Sequence, residues 1–246
     1  MQKKFRPEVS RNLKTIGILG GLGPQATIAF EHQIHKVSQK LIKHFENQGY
    51  PPIFTYYVRH QPFIIYEDGT RPIPLTPHPH LLEVAKMLGA VADFLVIPSN
   101  TPHFFLKELT QASGKKVLNM IEMTINEVKR RKCKNVGILA MGHTLTSQLY
   151  QSPLNQLGIV TEGITDESLG KELDKELFNV MQGDENAKST ILAVDLVNHL
   201  RGKNVDAIII ACTELPLLLG VKSNAPDLIN PSQCLAEATV RFAINA

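Results

Sequence analysis

The stretch Asn204-Val205-Asp206-Ala207-Ile208-Ile209-Ile210-Ala211-Cys212-Thr213-Glu214 has the make-up of a buried strand with a reactive tip. Val205 to Ala211 is largely apolar and β-branched, as parallel strands covered on both faces are, and the run breaks into polar residues at Cys212. Open α/β sheets place their ligands beyond the carboxyl ends of the strands, so Cys212 is expected at a site. A second stretch has the same form: Asp93-Phe94-Leu95-Val96-Ile97-Pro98 runs into Ser99-Asn100-Thr101. The two tips are expected to face each other across a cleft and to handle one proton between them.

Working outward, the chain repeats itself. Asn135-Val136-Gly137-Ile138-Leu139-Ala140 has the form of Thr15-Ile16-Gly17-Ile18-Leu19-Gly20; each runs into a glycine-containing turn and lies a similar distance ahead of its polar tip. Such a pattern suggests an internal duplication, with a pseudo-twofold axis placing Ser99 and Cys212 on opposite walls. Leu81, Leu82, Val84, Ala85, Leu88 and Val91 recur at helical spacing ahead of the Phe94 strand, and strand, helix, strand in that order is a parallel layout. The expected fold class is α/β: two pseudo-symmetric three-layer domains with mostly parallel sheets and the active site in the cleft between them. The expected boundaries are a loose basic tail over 1–14, a first domain of 15–118 with 220–246, and a second of 119–219. A first helix is expected from about Thr27 to Phe45, with Ile28, Ile34, Val37, Leu41 and Ile42 as its apolar stripe. Val117 to Met120 is expected as a short strand, and Ser232 to Ile244 as a closing helix.

Composition narrows the function. With 246 residues, 43% hydrophobic and 20% charged, the chain is an ordinary globular one of one large or two small domains. A net charge of +3, partly from Lys3, Lys4, Arg6, Arg11 and Lys14, comes without a basic stripe interleaved with aromatics, which argues against nucleic acid. No apolar stretch approaches the ~18 residues of a membrane helix, and the polar N-terminus lacks a signal peptide's apolar core; a cytoplasmic protein with no membrane partner is expected. Cys133, Cys212 and Cys234 form no CxxC pair, so reduced thiols are expected and a catalytic thiolate is permitted. Cys133 lies among cations but has no base beside it, and Cys234 is expected to be packed. His78 and His80 lack a third ligand at metal spacing, so no metal is expected. His103 is expected to be structural.

Gly20-Gly21-Leu22-Gly23-Pro24-Gln25-Ala26 opens the first helix, where close backbone approach and free N–H groups suit a carboxylate or phosphate. Gly21, Gly23 and Ala26 fit a dinucleotide pattern, but weakly: the strand Ile53 to Val58 ends in Arg59-His60 with no acidic residue for a ribose, although Arg59 suits a 2′-phosphate. The proline- and glycine-rich span Gln61 to Pro79 reads as a lid or binding loop.

Moving a proton on and off a carbon beside a carboxylate, without a cofactor, needs a base on one face, an acid on the other, and donors for the enolate-like charge. Two thiols suit this, since a free thiol pKa near ~8.5 is readily lowered by cations or N–H groups. Asn100, Thr101 and Thr213 supply donors. At these residues the chain resembles the aspartate/glutamate racemase family, whose members work without pyridoxal phosphate, and within it the aspartate racemase branch. Gly-Gly-Leu-Gly-Pro-Gln-Ala-Thr, residues 20–27, is similar to that branch's opening motif, and Cys212-Thr213-Glu214 matches its second. Ser99-Asn100-Thr101 stands where the family has Cys-Asn-Thr, Thr144 and Tyr150 also match, and Asn230-Pro231 stands for the usual Asp-Pro.

The resemblance implies a homodimer without cofactor or metal that takes a small amino acid or dicarboxylate. Cys212 and Ser99 would be catalytic, and Asn100, Thr101, Thr213, Gly21, Gly23, Arg59 and Thr144 substrate-binding. The activity implied is racemisation of aspartate or a related acidic amino acid. Departures accompany it: Ser99 is a far poorer base than a thiol, the branch's loop arginine has no positional match beyond Arg59 or Arg71, and Gly170 falls where the branch has lysine. Ser99 leaves three readings open: a natural variant working mainly one way or through water, an introduced change, or a relative that needs one cysteine. A one-sided decarboxylase or isomerase of dicarboxylic acids, and a carboxylate-binding protein without turnover, are the alternatives.

Overall fold

The computed structural model describes residues 13–43, 49–140, 142–164, 167–184 and 187–245. The first half of the chain runs β1 (Ile16–Gly20), α1 (Pro24–Leu41), β2 (Ile53–Tyr57), α2 (Pro79–Val91), β3 (Phe94–Val96), α3 (Leu106–Ser113) and α4 (Met120–Arg130). The second runs β4 (Asn135–Leu139), α5 (Gly142–Thr146), α6 (Gln151–Gln156), β5 (Val160–Glu162), α7 (Glu167–Met181), α8 (Ala187–Arg201), β6 (Ala207–Ile210), α9 (Leu215–Leu219), β7 (Leu228–Ile229) and α10 (Pro231–Ile244). Each half builds a parallel sheet, ordered β2-β1-β3 and β5-β4-β6-β7. The fold is α/β with parallel sheets, and β1, β2 and β3 correspond in order to β4, β5 and β6. A parallel bridge from Leu95 to Val117 lies beside β3 as β7 lies beside β6.

Side chains alternate across each sheet. On β6, Ile208 and Ile210 pack with α7, α8 and α9, and Cys212 follows on that side; Ala207, Ile209 and Ala211 pack toward α4 and α6. Ile208, Ile209 and Ile210 are at most 1% exposed. Burial of each stabilises the strand by about 1.5–3 kcal/mol, more than a typical hydrogen bond does, so the core fixes the strand and leaves its tip free to be polar. In the first sheet Ile16, Ile18, Phe94 and Val96 face α1 and α10, while Leu19, Leu95 and Ile97 face α2 and α3. The glycine shared by the two central strands has a packing cause: a Cβ on Gly17 would lie 3.0 Å from that of Ala92, and one on Gly137 would lie 3.1 Å from Ile208 Cγ1.

Several expectations are corrected. Helix α1 begins at Pro24, where a missing N–H costs nothing, and ends at Leu41; Ile28 is 59% exposed, and the buried face is Ala26, Thr27, Phe30, Ile34, Val37 and Ser38. Positions 26, 30, 34 and 37 follow the 3.6-residue period, and Ile28 falls outside their stripe. Phe45, the expected end of that helix, lies outside the described residues. Residues 117–120 make one bridge rather than a strand, because the Asn119 side chain caps α4 by accepting from the N–H groups of Ile121 and Glu122. The sequence assigns 220–229 to the first domain, yet β7 pairs with β6; only α10 returns, packing on α1 and α4. The tail expected over 1–14 lies outside the described residues up to 12, and Lys14 is docked: its N–H donates to Ala243 O at 2.9 Å and its ammonium lies 4.4 Å from the Phe242 ring centre.

Candidate active site

A cavity of about 560 Å³ opens at the carboxyl ends of both sheets. It is lined by all nine residues singled out from the sequence: Gly21 and Gly23 after β1, Arg59 after β2, Ser99, Asn100 and Thr101 after β3, Thr144 on α5, and Cys212 and Thr213 after β6. Glu214, Arg71, His60, Phe178 and Met181 line it too.

Buried hydrogen bonds hold the two tips in place. Asn100 is 7% exposed; its Nδ2 donates to Ala211 O at 3.0 Å, and its Oδ1 accepts from Tyr150 Oη at 2.7 Å. One side-chain hydrogen of Asn100 is therefore left for a ligand, so its main work is to brace the tips. His103 fixes the Ser99 backbone. The Met120 N–H donates to its Nε2 at 3.0 Å, which leaves the proton on Nδ1, and Nδ1 donates to Ser99 O at 2.8 Å. Burial pushes the His103 pKa down to about 4, so the ring is neutral.

The glycine turn differs from its expected role. The Gly21 N–H donates to Thr27 Oγ1 at 2.9 Å and is not free for an anion. Gly23, at φ 106°, makes its close approach to protein: a Cβ there would lie 2.3 Å from Glu214 Oε1. Glu214 is 1% exposed, and its Oε2 accepts from Cys212 Sγ at 3.2 Å and from Thr213 Oγ1 at 2.9 Å. Burial raises the Glu214 pKa, and burial together with the Glu214 charge raises that of Cys212 well above the usual thiol range. With Sγ donating to Oε2, the proton rests on sulfur.

Comparison with known proteins shows the family. Residues 19–239 match the model of a family described as Asp/Glu/Hydantoin racemase. The chain belongs to the Asp/Glu/hydantoin racemase family. Within that family it is 31% identical over 231 residues to the broad specificity amino-acid racemase RacX of Bacillus subtilis (strain 168), covering 92% of this chain and 96% of the relative. Among solved structures it is similar to Picrophilus torridus aspartate racemase, with a TM-score of 0.73, 25% identity and 94% of each chain covered. It also shares its fold with an aspartate racemase homologue from Pyrococcus horikoshii OT3, at a TM-score of 0.71 and 22% identity, over 94% of this chain and 99% of that one.

For a racemase-family protein the remaining side chains divide by chemistry. Arg59 lies over the Tyr57 ring at 5.5 Å, and Arg71 over the Phe63 ring at 4.9 Å. Neither makes an ion pair among the described residues. Phe178, 52% exposed, and Met181 bring apolar surface from the end of α7. Their place at the site had no local signal, because α7 reads as an amphipathic helix with solvated charges. Glu214 had a signal in the Cys-Thr-Glu tip. His60, His78 and His80 cluster at the loop: His60 Nε2 lies 2.8 Å from His80 Nδ1, and the His60 and His78 ring centres are 3.8 Å apart. Among the described residues no group of three side chains is placed to hold a metal ion.

Proposed function

We propose that this chain is an amino-acid racemase of the aspartate racemase branch, independent of pyridoxal phosphate, acting on aspartate or a related acidic amino acid. The observation that carries the reading is the meeting of Ser99 and Cys212, from equivalent strand ends of the two halves, at one cavity that also holds Arg59 and Arg71, neither in an ion pair among the described residues. An unpaired arginine can take the side-chain carboxylate that distinguishes an acidic amino acid. Cys212 takes or returns the α-proton on one face. Ser99 stands where the family has its first cysteine and serves the other face. Thr101 and the free Asn100 hydrogen hold the α-carboxylate, the Thr213 hydroxyl being spent on Glu214, and Thr144 completes the wall.

A second reading rests on the Ser99 hydroxyl, which has no hydrogen-bonded base among the described residues; His103 binds only the Ser99 carbonyl. An unactivated hydroxyl donates a proton far more readily than it accepts one, which favours proton delivery from one face, as in a decarboxylase or isomerase of dicarboxylic acids.

The test is incubation in heavy water with L- and D-aspartate, glutamate and a panel of other amino acids, following α-proton loss by NMR with chiral analysis. Racemisation predicts exchange with inversion, abolished in Cys212→Ala and at least about tenfold faster in Ser99→Cys, since a positioned general base contributes roughly 10²–10⁴-fold. Exchange with retention would favour the one-sided reading, and silence of wild type and Ser99→Cys on the whole panel would reject the racemase.

A further inference from the structure

We infer that His60 and His80 form a pair that takes up one proton when an anionic substrate binds, placing a third positive charge at the cavity beside Arg59 and Arg71. This makes His60 a specificity-determining residue for acidic substrates, and it rests on the reading of the site as one that takes them. His60 follows β2 and lines the cavity together with the two arginines. His80 stands in the first turn of α2, and its Nδ1 lies 2.8 Å from His60 Nε2.

The hydrogen bonds fix where the protons lie in the neutral pair. His60 Nδ1 lies 2.7 Å from the Gln61 carbonyl oxygen, which only accepts, so Nδ1 carries the proton and Nε2 is left to accept. The proton between the rings therefore belongs to His80 Nδ1, and His80 Nε2 is bare, accepting from the Tyr56 hydroxyl at 3.4 Å. A proton added there from water costs the pair no bond: the hydroxyl turns from donor to acceptor, and the contact between the rings stays. The shared proton is then free to move from His80 Nδ1 to His60 Nε2, which carries the charge to His60. Helix α2 favours that move, because the positive end of its dipole lies at His80. A second added proton would set N–H against N–H, so the capacity of the pair is one.

The surroundings leave this proton to the pair. His78, whose ring centre is 3.8 Å from that of His60, spends its Nδ1 on the His80 N–H as the cap of α2. Burial, with His60 and His80 beside it, lowers the His78 pKa, against the raising effect of the Glu83 carboxylate on α2. The other charged or titratable side chains at the cavity are Arg59 and Arg71 on the same side and Cys212 and Glu214 from the second half. Among the described residues no carboxylate bonds to His60, His80, Arg59 or Arg71, so the carboxylates of a substrate are the negative charge that draws the proton in. Two amides would tie the loop to α2 as well as two imidazoles do, but only imidazoles titrate near neutrality.

The experiment is calorimetric titration with aspartate, glutamate and succinate near neutral pH, in two buffers of different ionisation enthalpy, which counts the protons taken up on binding. Wild type is expected to take up about half a proton per ligand, as an imidazole does when a neighbouring charge raises its pKa by about one unit. His60→Gln and His80→Leu, each of which deprives the remaining ring of its imidazole partner, are expected to take up less than about a third of that. Binding without a buffer-dependent heat in wild type overturns the pair and leaves the acidic-substrate reading standing, and this holds even if the variants fail to fold. Full uptake in either variant overturns the pair too, and assigns the proton elsewhere in the cavity. Failure of all three ligands to bind rejects the acidic-substrate reading and the inference with it.

Discussion

The Asn100 carboxamide donates to the Ala211 carbonyl at 3.0 Å, tying the segment that carries Ser99 to the segment that carries Cys212. Tyr150, fully buried, completes the brace by donating to the Asn100 oxygen at 2.7 Å. Asn100→Ala strands both the Ala211 carbonyl and the Tyr150 hydroxyl, and each buried unsatisfied group costs about 1–3 kcal/mol. Urea unfolding is expected to show a loss of about 2–4 kcal/mol for Asn100→Ala and about 1 kcal/mol for Tyr150→Phe, which keeps the Ala211 bond. Equal losses would mean that the bond between the tips contributes nothing.

His103 gives the fold a pH dependence of predictable sign. Its ring is buried and neutral, with its pKa depressed from 6.5 to about 4, while the unfolded chain titrates at the ordinary value. Between those values the unfolded state binds the proton and the folded state does not. The stability is therefore fully present above pH 6.5 and is lost as pH falls toward 4, by about 3 kcal/mol in all. The difference between wild type and His103→Gln in urea unfolding is expected to shrink by that order from pH 7 to pH 4. A constant difference would show that the ring takes up its proton in the folded state as readily as in the unfolded chain.

Much of this is legible in the sequence, for a physical reason: a parallel strand covered on both sides must be apolar throughout, so the change to polar residues at Ser99 and Cys212 marks the strand tips by itself. The duplicated Ile16-Gly17-Ile18-Leu19 pattern likewise reports packing, since a neighbouring side chain approaches each central strand too closely for a Cβ. What is not legible depends on contacts between distant segments. That the Gly21 N–H is spent on Thr27, that Gly23 faces Glu214, and that α7 brings Phe178 and Met181 to the cavity are facts of assembly, and no local spacing encodes them. The assignment of 220–229 fails similarly, because a two-residue strand has too little pattern to say which sheet it joins.

Gly23 is expected to be intolerant of any side chain. At φ 106° an alanine is strained by about 1–3 kcal/mol, and its methyl would meet Glu214 Oε1 at 2.3 Å. Gly23→Ala should lower stability by that order in urea unfolding. Gly163→Ala, where nothing lies within 4 Å, is the control and should leave stability unchanged. A Gly23→Ala protein as stable as wild type would show that the Glu214 carboxylate can shift to make room.

Arg59 and Arg71 decide between an acidic substrate and a broad one. Each guanidinium lies over an aromatic ring at the cavity wall with no ion-pair partner among the described residues, so its charge is available to a ligand. A charge-assisted hydrogen bond contributes about 1.5–3 kcal/mol, or roughly 10–150-fold in binding. If one of them holds a side-chain carboxylate, Arg59→Gln or Arg71→Gln is expected to raise KM for aspartate or glutamate by that factor while leaving neutral amino acids unchanged, as measured by initial rates with chiral detection. The apolar end of the cavity makes the opposite prediction. A substrate side chain lying on Phe178 and Met181 would leave KM insensitive to both arginines and raise it in Phe178→Ala, and the site would then select for bulk rather than for charge.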